Sequence, residues 1–264
     1  MKQNMLLLLL LKRGFKGFTL LTLLLLVLVT VMVTTSPFSA GAENEGPREI
    51  SMSSKIKGGY IYVHGIATNF LGNLEDSSST SEYGARNVLL LHGDRFSART
   101  WQDLGTLSLL ADAGYRVAAV NLHSYLEYTP RDELLERICN ALGMSEANPP
   151  VIVSPSMSGS FSVPLLLRKP SMFAGFVPVA PGTAADYSTE EFAGVTEVPA
   201  LVVYGQKDSK GTRVSKILSA IPGSHLIMIK GASHPAYLDE PDLFHEHLLE
   251  FLEYDVFYGK GYIG

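Results

Sequence analysis

Three side chains in the second half of the chain have the types and placement needed to activate a hydroxyl nucleophile: Ser156, Asp208 and His234. A serine hydroxyl is a poor nucleophile unless a base takes its proton and a third group fixes that base. Ser156 lies in Val-Ile-Val-Ser154-Pro155-Ser156-Met157-Ser158-Gly159, an apolar strand that runs into a cluster of small residues. That pattern fits a nucleophile elbow, a sharp strand-to-helix turn that holds its central residue in a strained conformation. The helix packs so close to the strand that the positions two before and two after the nucleophile must be very small. Ser154 and Ser158 meet that limit in place of the usual glycines, which leaves Ser156 as the exposed nucleophile. Read alone, the pentad could equally be a Ser/Pro-rich loop, so its partners decide the matter. Asp208 follows the apolar run Leu-Val-Val-Tyr204 in Gly-Gln-Lys-Asp, and His234 follows the run ending at Lys230 in Gly-Ala-Ser-His-Pro. A lone Asp after a strand is usually a turn residue and a lone loop His is usually solvated. Three such residues, each after its own strand, are much harder to explain as turns.

The order Ser156, Asp208, His234 is the one expected of an α/β-hydrolase and differs from the chymotrypsin and subtilisin orders. The developing oxyanion would need backbone donors. The amide of Met157, first in the elbow helix, is one expected donor. The other is the amide of Asp94, after His92-Gly93 at the end of an early strand, where glycine permits a close turn. The Asp94 side chain would be unfavourable there unless it points away or pairs with Arg95. The remaining histidines fit less well. His245 and His247 are two apart on a helix and face different sides, and His64 is expected on a strand facing solvent or in a loop. His123, after a strand on the active edge, is a possible cleft residue. No spacing suggests a metal site, and no cofactor is expected.

These residues need a scaffold of strands that all end at one edge. Short apolar runs at Gly59 to His64, Asn87 to Leu91, Arg116 to Leu122, Val151 to Val153, Phe176 to Val179, Ala200 to Tyr204 and His225 to Ile229 predict strands. Helical patterns separate them. One has Thr100 as N-cap and runs through Trp101, Leu104, Leu107 and Leu110 to Gly114. Others cover Asp132 to Leu142, Gly159 to Leu167, about Thr212 to Ala220, and a terminal helix from near Pro241 with Phe244, Leu248 and Phe251 on one face. Leu74 to Tyr83 reads as a loop. The alternation predicts an α/β class with a mostly parallel, doubly wound sheet. Only about twenty residues lie between the strands ending near Val179 and starting near Ala200, too few for a helical cap domain. An uncapped pocket should be shallow and suit short acyl groups.

The chain has 264 residues, enough for one large domain plus an N-terminal extension. Residues 1–17 are a basic leader with Lys2, Lys12, Arg13 and Lys16, and the uncharged apolar run Phe18 to Val33 follows. As a helix that run would cover about 24 Å, somewhat more if it continues to Ser36, which just spans a thin bilayer. Basic residues ahead of it predict a cytoplasmic N-terminus, hence a single-pass type II signal-anchor at 18–36, a stalk at 37–58, and the 59–264 domain on the secretory-pathway or cell-surface side. The alternative is a secreted protein cleaved after Ala40-Gly-Ala42. Those four basic residues precede every acidic one, leaving 17 Lys+Arg against 26 Asp+Glu, a formal charge of −9, for the remainder. Nucleic acid and polyphosphate partners are therefore not expected. Cys139, the only cysteine, excludes an intrachain disulfide and reads as a small buried hydrophobe.

Four segments carry a more specific likeness: Leu-His-Gly-Asp-Arg-Phe-Ser-Ala-Arg-Thr-Trp-Gln-Asp-Leu-Gly-Thr-Leu, Val-Ser-Pro-Ser-Met-Ser-Gly, Gly-Phe-Val-Pro-Val-Ala-Pro and Gly-Ala-Ser-His-Pro-Ala-Tyr-Leu-Asp. From about Gly59 to Phe251 the chain resembles the α/β-hydrolase domain-containing 14 family, and its leader and apolar segment are more similar to the membrane-bound A form than to the soluble B form. The resemblance implies an α/β-hydrolase fold, a triad at Ser156, Asp208 and His234, and hydrolysis of simple activated esters. For the B form it also implies acyl transfer from lysine to coenzyme A. One departure stands out: such hydrolases usually continue Pro-Gly-x-Gly-x-Ser after the strand ending at Leu122. Here His123-Ser-Tyr-Leu-Glu-Tyr-Thr-Pro130 forms a shorter loop at the expected mouth of the site. The expectation is a serine hydrolase of short acyl esters or amides on a small-molecule or acylated substrate. The alternatives are an acyltransferase or deacylase with a thiol acceptor such as coenzyme A, and a weakly catalytic binding module.

Overall fold

The computed structural model describes residues 55–74, 80–81, 84–122 and 129–257. The leader, the apolar segment with its alternative signal-peptide reading, most of the stalk, and His123 with the rest of residues 123–128 lie outside the described residues. Among the described residues no helix is long and apolar enough to cross a membrane.

An eight-stranded sheet forms the centre. In chain order its strands are β1 (Lys57–Val63), β2 (Ile66–Gly72), β5 (Asn87–Leu90), β6 (Arg116–Val120), β7 (Val151–Pro155), β8 (Gly175–Val179), β9 (Leu201–Gly205) and β10 (His225–Ile229). Strands β3 (Thr80–Ser81) and β4 (Gly84–Ala85) make a separate small ribbon. The spatial order is β1-β2-β6-β5-β7-β8-β9-β10, antiparallel across β1–β2 and β2–β6 and parallel from β6 onward. The helices are α1 (Ala98–Asp103), α2 (Thr106–Asp112), α3 (Arg131–Ala141), α4 (Gly159–Arg168), α5 (Thr189–Ala193), α6 (Ser209–Leu218), α7 (Ala236–Asp239) and α8 (Pro241–Glu250), with a π-helical turn at Phe251–Phe257.

The continuous apolar strands are explained by burial on both faces, with alternate residues serving different layers. Leu89, Ala118, Ile152 and Val202 pack with Phe161 and Leu165 of α4 and Val214 and Leu218 of α6. Their neighbours Val88, Leu90, Val117, Val153 and Val203 pack on the other face with Trp101, Leu107, Leu110, Phe244 and Leu248. Each fully buried Leu, Val or Phe contributes about 1.5–3 kcal/mol of transfer free energy. These two layers hold the strand ends, and therefore the loops that follow them, in fixed relation.

The structure adds one strand to the central sheet and corrects two local expectations, a single helix from Thr100 to Gly114 and Thr100 as its N-cap. Strand β2 had no prediction, yet it pairs with all of β1 through a two-residue turn, Val63 opposite Ile66. The turn puts His64 at φ 51° and Gly65 at φ 76°, the paired positive φ that matches the twist of a hairpin, so exposed His64 is a turn residue. The helix expected from Thr100 to Gly114 is two helices, broken where Gly105 takes φ 75°. Its N-cap is Ser97, and Thr100 acts from inside the first turn, its hydroxyl accepting the Ser97 amide at 3.3 Å. Between β8 and β9 the chain forms a 3₁₀ turn at Gly182–Asp186 and the five-residue α5, so nothing there covers the sheet edge as a cap domain.

Candidate active site

The elbow is built as a strand ending in a 3₁₀ turn, Ser156–Ser158, that continues into α4. Ser156 is held at φ 51°, a left-handed conformation costly for a non-glycine residue unless its surroundings enforce it. Close packing supplies part of that enforcement. A Cβ on Gly159 would lie 2.3 Å from Cβ of Pro181, so the position that tolerates no side chain is Gly159. Ser154 and Ser158, expected to obey a size limit, are fully buried and fit.

The structure brings the three candidate residues together across 78 residues of sequence. His234 Nε2 is 2.8 Å from Ser156 Oγ, and His234 Nδ1 is 2.5 Å from Asp208 Oδ2. An ionised carboxylate can only accept, so Nδ1 carries the proton toward Asp208 and Nε2 is left to accept from Ser156. The Asp208 side chain is 8% exposed and that of His234 49%, which places the imidazole at the surface and the carboxylate beneath it. Asp208 also caps α6: its Oδ1 accepts the Gly211 amide at 2.9 Å. A Cβ on Gly211 would sit 2.2 Å from Asp208 Oδ2, so this glycine leaves room for the carboxylate.

The loops carrying Asp208 and His234 are stitched to each other. Gln206 N donates to the Ile229 carbonyl at 3.0 Å and Lys207 N to that of Ala232 at 2.9 Å. The Gln206 side chain accepts the Gly231 amide at 2.9 Å. A Cβ on Gly205 would lie 2.0 Å from the Ser233 carbonyl oxygen, so the loops touch at a point with no room for one. On the other side of His234, Asp239 Oδ2 accepts both the amide and the hydroxyl of Ser233, at 2.6 and 2.5 Å. Those two bonds, the hydroxyl's foremost, hold the Asp239 carboxyl below its ordinary pKa. Neither Gln206 nor Asp239 was singled out by sequence; the one available signal for Asp239 was an acidic residue five positions after His234.

The Gly93 turn lies beside the serine, since a Cβ there would be 3.7 Å from Ser156 Cβ and 3.3 Å from the Phe96 ring. Buried His92 fixes the turn: its Nδ1 bonds the Gly93 carbonyl at 2.8 Å, and its Nε2 accepts the Leu122 amide at 2.9 Å. The Phe96 amide donates to the same Gly93 carbonyl at 3.1 Å. The amides of Asp94 and Met157 are used in no turn, loop or cap bond among the described residues. Asp94 and Arg95 are both exposed and form no ion pair with each other. An open cleft of about 300 Å³ runs from Asp94, Arg95 and Phe96 past Ser156 and His234 to Tyr237 and Val179, with mostly apolar walls. Tyr237 stacks on Trp101 at 4.7 Å, and burial pushes its pKa up, so it remains a neutral wall.

The other polar candidates lie away from this cleft. His245 Nε2 is 2.8 Å from Thr106 Oγ1, and His247 faces Glu250 at 3.9 Å. Cys139 is buried in the core and burial pushes its thiol up to about 12. Among the described residues no group of three or more His, Cys, Asp or Glu side chains is placed to hold a metal ion.

No protein-family model matches the sequence. Individual proteins do. Human ABHD14B, a candidate protein-lysine deacylase, is 40% identical over 215 residues, covering 77% of this chain and 99% of that protein. Zebrafish (Danio rerio) ABHD14A is 36% identical over 187 residues, covering 67% of this chain and 68% of that protein. Among solved structures, a predicted CIB-like hydrolase from Thermoplasma acidophilum superposes with a TM-score of 0.65 at 23% identity, covering 75% of this chain and 97% of that one.

Proposed function

The chain belongs to the ABHD14 family of α/β-hydrolases, and on that premise we propose that it is a serine hydrolase whose Ser156, Asp208 and His234 form a catalytic triad acting on short acyl esters or amides. The observation that carries this reading is the unbroken relay from Asp208 Oδ2 through His234 to the hydroxyl of Ser156, at 2.5 and 2.8 Å, on a residue with φ 51°. In the reaction, Ser156 Oγ bonds to the acyl carbonyl carbon as His234 Nε2 takes its proton. Asp208 stabilises the imidazolium that forms. The amides of Asp94 and Met157 receive the oxyanion. When the tetrahedral intermediate collapses, the bond to the leaving oxygen or nitrogen breaks and His234 returns the proton to it. The acyl-enzyme is released by a water, or another acceptor, activated at the same Nε2.

The small cleft and the short, uncapped segment between β8 and β9 favour acyl groups of a few carbons. The lysine-deacylase designation of human ABHD14B favours amide-linked acyl groups as a second substrate class, with water or a thiol such as coenzyme A as acceptor. For the residues before the described domain we retain the signal-anchor reading, which puts the hydrolase on the secretory-pathway or cell-surface side of a membrane, with the cleaved, secreted form as its alternative.

The test is covalent labelling of the full-length protein with a fluorophosphonate, beside Ser156→Ala, followed by 4-nitrophenyl esters of increasing acyl length. We expect labelling that vanishes in the variant, and turnover that falls steeply beyond a few carbons. A folded wild-type protein that takes no label would leave a binding module as the correct reading. Faster turnover of long-chain esters would refute the small-pocket argument.

A further inference from the structure

Beneath Ser156 lie three more hydroxyls that the catalytic relay does not use. Ser154, Ser158 and Ser162 are all fully buried. Ser158 Oγ donates to the Pro155 carbonyl at 2.8 Å. Ser154 Oγ is 3.0 Å from Ser158 Oγ and 2.7 Å from Ser162 Oγ. A serine hydroxyl has one proton, and a carbonyl oxygen can only accept. The Ser158 proton is therefore committed to Pro155, so Ser154 must be the donor to Ser158. That commits the Ser154 proton in turn, so Ser162 must be the donor to Ser154. The chain has one possible direction, Ser162 to Ser154 to Ser158 to the Pro155 carbonyl. It runs from α4 across to β7 and ends on the peptide group immediately before Ser156.

We infer that these three serines are positioning residues: their oriented hydroxyl chain fixes the Pro155–Ser156 peptide and thereby aims the Ser156 hydroxyl and the Met157 amide. The left-handed conformation of Ser156 persists only if its surroundings over-determine it. Contact of Gly159 with Pro181 restrains the helix side of the elbow. The hydroxyl chain restrains the strand side, where a glycine-flanked elbow would have packing alone. Each bond in the chain polarises the next, and burial shields all three hydroxyls from bulk solvent. Burial does not by itself bring a hydroxyl a partner, because buried Ser215 Oγ has none. The role in aiming the nucleophile rests on the reading of Ser156 as the catalytic serine; the restraint of the elbow does not.

The competing account is that Ser154 and Ser158 are present only because they are small. The two accounts part on substitutions that keep or reduce size: Ser158→Ala, Ser154→Ala, Ser162→Ala and the double variant Ser154→Gly/Ser158→Gly. If size is all that matters, the double-glycine variant restores a common elbow and keeps full reactivity. If the hydroxyl chain aims the nucleophile, loss grows toward the Pro155 end. On that account Ser162→Ala should slow the chemical step two- to fivefold, and Ser158→Ala and the double-glycine variant at least tenfold. The reagent's binding constant should stay within twofold, because the cleft walls are untouched.

Two readouts on the full-length protein separate the possibilities. The first is fluorophosphonate labelling resolved into binding constant and limiting rate. The second is hydrogen exchange of peptides covering residues 151–168, which requires no catalysis. Faster exchange confined to the elbow, together with a lowered limiting rate at unchanged binding, supports the proposal. Unchanged elbow exchange in Ser158→Ala and in the double-glycine variant overturns it, whatever the rates. Faster elbow exchange in a protein whose wild type takes no label upholds the restraint, and refutes both the aiming role and the proposed chemistry.

Discussion

The substitution Asp208→Asn separates two jobs that one carboxylate performs. Through Oδ1 Asp208 caps α6 at Gly211, and through Oδ2 it meets His234 Nδ1. Asparagine caps helices as well as aspartate, so its oxygen can keep the Gly211 amide and helix stability should hardly change. Its amide nitrogen is then turned toward Nδ1 and must donate there. The imidazole proton is forced onto Nε2, which faces Ser156 as a donor where the proposed reaction needs an acceptor. The electrostatic loss can be bounded. Two unit charges about 4 Å apart interact by about 1 kcal/mol in water and about 4 kcal/mol at an effective dielectric of 20. Asp208 is nearly enclosed but His234 is half exposed, so the stabilisation of the imidazolium lies between those limits. That alone is about 5- to 10³-fold in rate, and the wrong tautomer raises the loss toward the ~10⁴-fold seen when a serine-protease triad is altered in the same way. We expect kcat for 4-nitrophenyl acetate to fall by about 10³- to 10⁴-fold, with KM little changed and Tm within about 2 °C of wild type, the cap being retained. Asp208→Ala should lose the cap as well, at about 1 kcal/mol. A fall of kcat smaller than about tenfold in a protein with unchanged Tm would refute the assignment of Asp208 as the group that orients His234.

Two further outcomes follow from the packing. Gly205→Ala would push a methyl into the Ser233 and Ala232 carbonyls at the point where the Asp208 and His234 loops touch. Overpacking of about 1–3 kcal/mol should lower Tm by about 2–12 °C and slow labelling of Ser156; a fully active variant of wild-type Tm would show that the loops can part freely. His245 is half buried where α8 meets α2, and burial lowers its pKa despite the opposing charge of Asp242. A histidine with a lowered folded-state pKa contributes stability that is fully present above the unfolded value, about 6.5, and is lost as pH falls below it toward the folded value. The urea midpoint should therefore decline between pH 7.5 and 5, and His245→Gln should flatten that decline; parallel profiles for the two proteins would exclude His245 as its source.

The candidate triad could be read from sequence because each member is a distinctive residue type placed just after an apolar strand, and parallel strands deliver such positions to one edge whatever their separation. Smaller features were lost for identifiable physical reasons. Leu107 and Leu110 continue the helical phase of Trp101 and Leu104, so periodicity ran straight through the break at Gly105. Strand β2 carries Thr68 and Asn69 among its apolar residues and showed no clean alternation; only the His64-Gly65 pair, read as a positive-φ turn, would have revealed it. Gln206 and Asp239 could not be found by type at all, because what they do depends on which backbone amides the fold brings within 3 Å. The same holds for the elbow serines. Their small size was evident and fitted the glycine-like reading, but the direction of their hydroxyl chain follows from a carbonyl that cannot donate. Residue type therefore pointed to the groups proposed to exchange protons with a substrate, while the hydrogen-bonded groups around them became visible only through who donates to whom. The second set should accordingly respond to substitution in kcat, with little effect on substrate binding.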